Sequence, residues 1–499
     1  MAKNVKNCDL VVLGAGGAGV LAATKAKSLG VKDIIILEKA KHFGGCTWYC
    51  SAAPGPFKST PEQIDERFTK IMKELWWQVN PKLIRNNLEA QAQCFDWFSK
   101  ICDVTDFYSK DMLEGKMDFM SRMNSTEREH RHINDDSRDP SIGPGKAGSW
   151  FVTKLVDYCK KEGIQILTET PATEFILDNK GKITGVVAES KDGKLQINCK
   201  ACVIASGGFG ADTEKLKKRW PEHFNGKRYH RFSCPTSTGD ALDMAEKAGI
   251  YVDWKNMNVL IGGPAHHPYS YSILFLTWNP EAIYINLNGE RWIDETMSFS
   301  NSFFLLGQQP KAENWIVMDE DLKEMLGERL QNSQRQNQWV VKDFRKDIDY
   351  EISLDEGGAQ GKHTRKADTL EGLAKKMEVD PNAFVKTIEK YNQYCDNKRD
   401  LDFAKKSEYL VPLRKPPYYA FFTQRFVETT HGGIPINENM EVYKDQAKTQ
   451  VIQNLFAAGD ISGGWITDFI GMPPISAGTY MISSGYLAGE AAGKYLVKT

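Results

Sequence analysis

Asp9-Leu10-Val11-Val12-Leu13-Gly14-Ala15-Gly16-Gly17-Ala18-Gly19 is the stretch on which the fold turns. An apolar run leads straight into a glycine cluster, and a helix-like segment opens behind it. A second apolar run, Asp33-Ile34-Ile35-Ile36-Leu37, ends in Glu38. Strand, glycine turn, helix, strand and acid in this order form a dinucleotide-binding βαβ pattern. The glycines allow a tight turn and close approach of a pyrophosphate, the helix N-terminus supplies N–H donors and positive potential, and the acid accepts ribose hydroxyls. A lone G-x-G-x-x-G is weak evidence, but here the flanking strands and the acid stand near their expected spacing. A second glycine-rich junction, Asn454-Leu455-Phe456-Ala457-Ala458-Gly459-Asp460, lies more than four hundred residues later. The pair points to FAD.

The chain has 499 residues, more than one simple core requires, so two or more domains are expected. Its 64 basic and 65 acidic side chains nearly cancel, which gives no sign of a nucleic-acid or acidic-membrane partner. No apolar signal core or twin arginine precedes the first strand, and no apolar run approaches bilayer length. The expectation is a cytoplasmic protein without membrane insertion. Ten cysteines are scattered through apparent strands and helices, a pattern that suits reduced thiols. Cys199-Lys200-Ala201-Cys202 has metal-type spacing but no second pair, and it leads into the strand Val203-Ile204-Ala205, so buried structural thiols are the simpler reading.

Helical patterns dominate to about residue 110, and Met112 to Gly148 is polar and reads as a long surface connection. A helix is expected from Trp150 to Glu162, then strands at Ile164–Thr168, Thr173–Asp178, Ile183–Glu189 and Ala201–Ala205, the last ending in Ser206-Gly207-Gly208-Phe209-Gly210. Thr238-Gly239-Asp240 opens a helix over Ala241–Ala248. An aromatic-rich region continues to about 423, with Lys- and Glu-rich helices around 311–400 that read as solvated outer faces. The expected architecture is α/β: a Rossmann-like FAD-binding domain, 1–235 and 424–499, interrupted by an inserted α+β capping domain, 236–423.

Taken in order, these motifs resemble the fumarate reductase and succinate dehydrogenase flavoprotein family, which includes ketosteroid dehydrogenases and soluble enoate reductases. The resemblance covers most of the chain. It rests on Gly14 to Gly19 with Glu38, Gly44-Gly45-Cys46-Thr47, Ser206 to Gly210, Thr238-Gly239-Asp240, Asn286 to Glu295, Gly432-Gly433, Ala457 to Asp460, and Gly485 to Glu490. It implies flavin contacts from Gly14, Gly16, Gly17, Ala18, Gly19, Glu38, Lys39, Gly45, Cys46, Thr47 and Ser51. It implies further contacts from Ala172, Ser206, Gly207, Gly208, Asp240, Gly459, Asp460, and a terminal helix beginning near Ser476-Ala477. Cys46 holds the place where covalently flavinylated relatives carry histidine, yet a small polar residue against noncovalent FAD is the expectation.

The family's catalytic positions depart from pattern. Phe299 stands where the acid arginine of soluble fumarate reductases would fall, Gly471-Met472-Pro473-Pro474 replaces the Asn-Arg-Leu-Gly-Gly pattern, and Thr429 replaces a histidine. A buried dicarboxylate needs several cations or donors, so fumarate and succinate are poor candidates. Tyr269, Tyr271, Phe275, Trp278, Phe299, Trp465 and Phe469 suit instead an apolar or aromatic unsaturated carbonyl compound, although aromatics fill any core. His431, His267 and Tyr271 are the candidate proton-handling residues. The expected activity is hydride transfer at flavin N5 on a CH–CH bond next to a carbonyl, as reduction or desaturation, with a separate electron carrier. Two alternatives stand beside it: a flavoprotein subunit of a larger electron-transfer complex, and a non-catalytic flavin-binding protein.

Overall fold

The structure, a computed structural model, describes residues 4–50, 53–55, 59–108, 110–113, 146–225, 229–231, 233–265, 276, 279–297, 305–332, 344–356, 363–470 and 477–498. The apolar run of the first motif becomes the strand Asn4–Leu13, at the heart of an eight-stranded sheet. Across that sheet the order is Glu441–Tyr443, Val451–Ala457, Gly193–Ile204, Asn4–Leu13, Ile34–Leu37, Gln165–Leu167, with Ala172–Leu177 and Ile183–Ser190 attached through Gly193–Ile204. The central pairs are parallel, with Leu10 opposite Ile34 and opposite Ala201. Leu10, Val11 and Val12 are wholly buried, because a parallel sheet is covered on both faces.

Helix Gly17–Ser28 lies against the sheet, and helix Ala477–Lys498 packs on it. Small residues set this packing. A Cβ on Gly485 would come within 2.7 Å of the Ala18 carbonyl oxygen, and one on Gly489 within 2.4 Å of that of Ala22. Lys25 Nζ donates to the Tyr486 hydroxyl at 3.0 Å. Helices Pro61–Glu74 and Pro81–Ile101 flank this core, each with proline in its first turn and capped by Thr60 or Asn80.

A second sheet of seven strands runs Phe469–Ile470, Asn258–Ala265, Tyr418–His431, Glu313–Asp319, Ile283–Asn286, with two further short strands on Tyr418–His431. A separate core holds Ile283, Ile285, Ile316, Val317, Phe384, Ile388 and Tyr418 to Phe421. Strand Tyr418–His431 leaves that core and enters the first one at Val427. Ala241, Leu242, Met244 and Ala245 pack with the first core.

Expected elements recur with shifted ends: Trp150–Glu162 is found as Lys146–Lys161, and Ala201–Ala205 is the end of the longer strand Gly193–Ile204. Cys199 and Cys202 lie in that strand, both buried. The region 311–400 differs more. Between its helices, Glu313–Asp319 is a strand buried at every residue and paired on both sides. The charged helices around it dilute the local run Trp315-Ile316-Val317, and periodicity alone reads such a short apolar run poorly. Most of the expected connection 112–148 lies outside the described residues.

Candidate functional site: a cofactor cradle and a buried histidine–carboxylate pair

Gly14 turns the chain at φ +105°, and a Cβ there would stand 2.5 Å from the Ala205 carbonyl oxygen. A Cβ on Gly19 would meet the Gly14 carbonyl oxygen at 2.0 Å. These two positions therefore hold the loop tight against strand Gly193–Ile204. Gly16 is the N-cap of helix Gly17–Ser28, with no side-chain cap and no acidic residue in the first turn. The Gly17 N–H donates to Thr47 Oγ1 at 3.1 Å, and the helix brings its other first-turn N–H groups and its positive end to a cavity.

That cavity, partly open to solvent, is walled by Gly14, Gly16, Gly17, Ala18, Glu38, Lys39, Gly45, Cys46, Thr47, Ala172, Ser206, Gly207, Asp240, Gly459 and Asp460. The sequence had named all of these. Gly19 and Gly208 stand behind the wall: Gly19 supports the turn, and a Cβ on Gly208 would strike Thr430. Thr236, Ser237, Met244 and Met481 also line the cavity. Sequence reasoning missed them, although Thr236 and Ser237 directly precede the Thr238-Gly239-Asp240 motif. Helix Ala477–Lys498 begins where expected. Ser51, His267, Tyr271 and Ser476, like Tyr269, Phe275, Trp278, Phe299 and Met472, lie outside the described residues.

The donor set fits FAD. Glu38 is buried, and its two carboxylate oxygens accept from the N–H groups of Ala15 (2.9 Å) and Ala40 (2.8 Å). Burial raises its pKa, against the pull of those N–H groups, and each oxygen retains a lone pair for a ribose hydroxyl. Ser206 Oγ, in the cavity wall, is buried with no hydrogen-bond partner among the described residues. Such an atom calls for a polar ligand. Lys39 Nζ pairs with Asp240 at 2.7 Å; burial would raise the Asp240 pKa, but Lys39 and Thr238 bring it below its usual value. Cys46 Sγ lies 3.2 Å from Ser237 Oγ. Its contact with the Cys234 thiol, reinforced by burial, keeps Cys46 protonated.

His431 closes strand Tyr418–His431 and is fully buried, edge-on to Trp465 at 5.4 Å between ring centres. Its Nδ1 bonds Asn258 Oδ1 at 2.7 Å, and its Nε2 stands 3.7 Å from Asp460 Oδ1 with no hydrogen-bond partner among the described residues. Burial lowers the histidine pKa, opposed by Asp460, and burial raises that of Asp460, opposed by His431 and by Thr429, whose hydroxyl donates to Oδ2 at 3.0 Å. With Nδ1–H donating to Asn258, the Nε2 lone pair faces the carboxyl. His431 is thus a neutral imidazole behind Asp460, and it is not part of the cavity wall.

A glycine turn at a helix N-terminus, an acid at the end of the neighbouring strand and an orphaned hydroxyl in one cavity define a dinucleotide-binding flavoprotein. The chain belongs to the FAD binding domain family, whose profile matches residues 9–469, and FAD is its cofactor. It is 27% identical over 516 residues to the vinyl phenol reductase of Lactiplantibacillus plantarum, covering 98% of this chain and 96% of that one. It is 27% identical over 509 residues to a fumarate reductase (cytochrome) of Shewanella frigidimarina, covering 98% and 78%. The fold is shared with the 3-ketosteroid Δ1-dehydrogenase of Sterolibacterium denitrificans, with TM-score 0.71, 19% identity and coverage of 99% and 100%.

Proposed function

We propose that the protein is an FAD-dependent oxidoreductase acting on a CH–CH bond conjugated with a carbonyl or an aromatic ring. The observation that carries this reading is similarity along 96% of a vinyl phenol reductase, in a chain whose cavity offers a cradle for the cofactor. Bound FAD supplies a two-electron hydride donor or acceptor. The protein's own part is to hold the cofactor, place the substrate and move one proton. Phe299 and Met472, at positions where fumarate reductases carry arginine, favour an apolar or aromatic substrate over a dicarboxylate.

Several finer points belong to the same proposal. The division into a cofactor domain, 1–235 and 424–499, and a capping domain, 236–423, is supported by the two separate cores, although helix Asp240–Lys247 packs with the first. The protonated Cys46 thiol is a poor nucleophile, which favours noncovalent FAD. No described helix is long and apolar enough to cross a membrane, and no disulfide joins described residues. We place the protein in the cytoplasm, served by a separate electron carrier.

The test is anaerobic photoreduction of the FAD-loaded protein, followed by mixing with 4-vinylphenol, cinnamate, an aromatic enone and fumarate. Rapid reoxidation by an aromatic or apolar compound and none by fumarate is expected. Fast fumarate turnover overturns the substrate class, and inertness to every compound overturns the enzyme reading. Acid precipitation of the same preparation should leave intact FAD in the yellow supernatant, whereas flavin in the pellet would establish a covalent link.

A further inference from the structure

Strand Tyr418–His431 is buried or half-buried at every residue but one. The exception is Glu428. The pairing with Asn258–Ala265 slips there: Val427 stands opposite Ile261 and Thr429 opposite Leu260, so Glu428 has no facing residue. This is a β-bulge, the device by which a strand re-aims one side chain, and bulges collect next to active sites. Val427 before it is wholly buried in the first core, and Thr429 after it donates to Asp460, a residue of the cofactor cavity wall. The bulge thus sets Glu428 next to Thr429, whose partner Asp460 lines that cavity.

Glu428 has no hydrogen-bond or ion-pair partner among the described residues. Solvent reaches it, yet burial, with a smaller contribution from the charge of Asp460, pushes its pKa up to about 7. Crowded by protein yet reached by solvent, the carboxyl is accessible to a ligand. Among the described residues, the titratable groups set against it are Asp460 and, on its own strand behind Asp460, His431.

We propose that Glu428 is the acid–base group of this site, giving its carboxyl proton to the substrate carbon adjacent to the one that takes the hydride. This rests on the reading of the protein as a CH–CH oxidoreductase. In reduction, the C=C π bond breaks and its electron pair forms the new C–H bond with the Glu428 proton, while the other carbon takes the hydride equivalent that FAD supplies. Glu428 is left as carboxylate and regains a proton from solvent. In desaturation the carboxylate removes that proton. His431 is a positioning residue: its ring stands behind Asp460 and, against burial, favours the Asp460 carboxylate, whose charge in turn favours the protonated form of Glu428. A general acid near neutrality is the protonation state this chemistry requires, and no arginine is needed.

Glu428→Gln keeps shape and polarity and removes the proton. In the FAD-loaded protein, carboxyl difference infrared spectra across pH 5–9 should show a group titrating near 7 that Glu428→Gln lacks. FAD stoichiometry and thermal midpoint at pH 5 should match the wild type. Reoxidation of photoreduced wild type by 4-vinylphenol, or by the fastest compound of the panel, should fall as pH rises through about 7. Glu428→Gln should be slower by roughly 10²- to 10⁴-fold and lack that pH dependence. Glu428→Asp should recover part of the rate with a shifted profile. Equal rates and profiles for wild type and Glu428→Gln, or no carboxyl titrating between pH 6 and 8, overturn this assignment alone. A wild type inert to the whole panel overturns it together with the proposed function.

Discussion

Replacing Gly16 with alanine separates cofactor binding from folding. Gly16 has φ −75° and ψ 176°, an extended conformation that alanine adopts freely. The nearest atom to a Cβ built there is the Gly44 carbonyl oxygen at 3.9 Å, an ordinary contact. The protein alone therefore has no objection to the methyl group, and restricting the unfolded chain favours the variant by about 0.4–1 kcal/mol. The cavity in front of Gly16 is another matter, because a pyrophosphate lying on the helix end would be pushed from its N–H donors. Losing one charge-assisted hydrogen bond costs about 1.5–3 kcal/mol. At 1.4 kcal/mol per decade this is a weakening of roughly 10- to 150-fold. Calorimetric titration of deflavinated Gly16→Ala with FAD, beside its apo thermal midpoint, measures both quantities. Gly19→Ala is the contrasting variant: its methyl would sit 2.0 Å from the Gly14 carbonyl oxygen and should lower apo stability itself. Wild-type FAD affinity in a normally stable Gly16→Ala would refute the placement of the phosphates on this helix end.

The second core holds a buried ion network that Arg291→Ala would open. Arg291 grips Glu295 through two bonds of 2.9 and 2.8 Å and Asp400 at 2.8 Å, and these side chains are at most 3% exposed. Removing the guanidinium should cost about 3–5 kcal/mol in denaturant unfolding, and a loss below 1 kcal/mol would contradict the network's role. His431 makes a pH-dependent contribution of definite sign. Its folded pKa lies below the ordinary 6.5, so its share of stability is present above that value and is lost as pH falls below it, where the unfolded chain takes up a proton first. The thermal midpoint of wild type should thus fall more than that of His431→Gln between pH 7.5 and 5, and equal falls would show that the buried ring protonates as easily as a free one.

The cofactor cradle was legible because its chemistry is local. Strand, glycine turn and acid sit within thirty residues, and later contributors such as Ser206 and Asp460 follow recognisable strands. Motif Asn286 to Glu295 was equally visible, but its purpose was not: its Arg291 and Glu295 meet Asp400 and Lys405, more than a hundred residues on, in a buried network. His431 was singled out for standing beside Gly432-Gly433. Adjacency in sequence could not show that its ring points into Trp465 and Asn258, whereas Glu428, three residues earlier, is turned outward by a bulge. A bulge is a property of pairing between distant strands, and it left no mark in the strand's own residues.

The packing of helix Gly17–Ser28 on helix Ala477–Lys498 has a consequence for how the protein is made. Lys25 and Tyr486, joined by a hydrogen bond, are 461 residues apart in the chain. At 5–20 residues per second, a ribosome needs roughly 20–90 s to deliver the second helix after the first. Through that interval the apolar side of the first βα unit has no permanent cover, and the glycine turn at the cavity lacks Met481 and the Gly459 loop around it. Cofactor capture therefore waits for helix Ala477–Lys498, and the nascent chain must be sheltered from aggregation until that helix arrives.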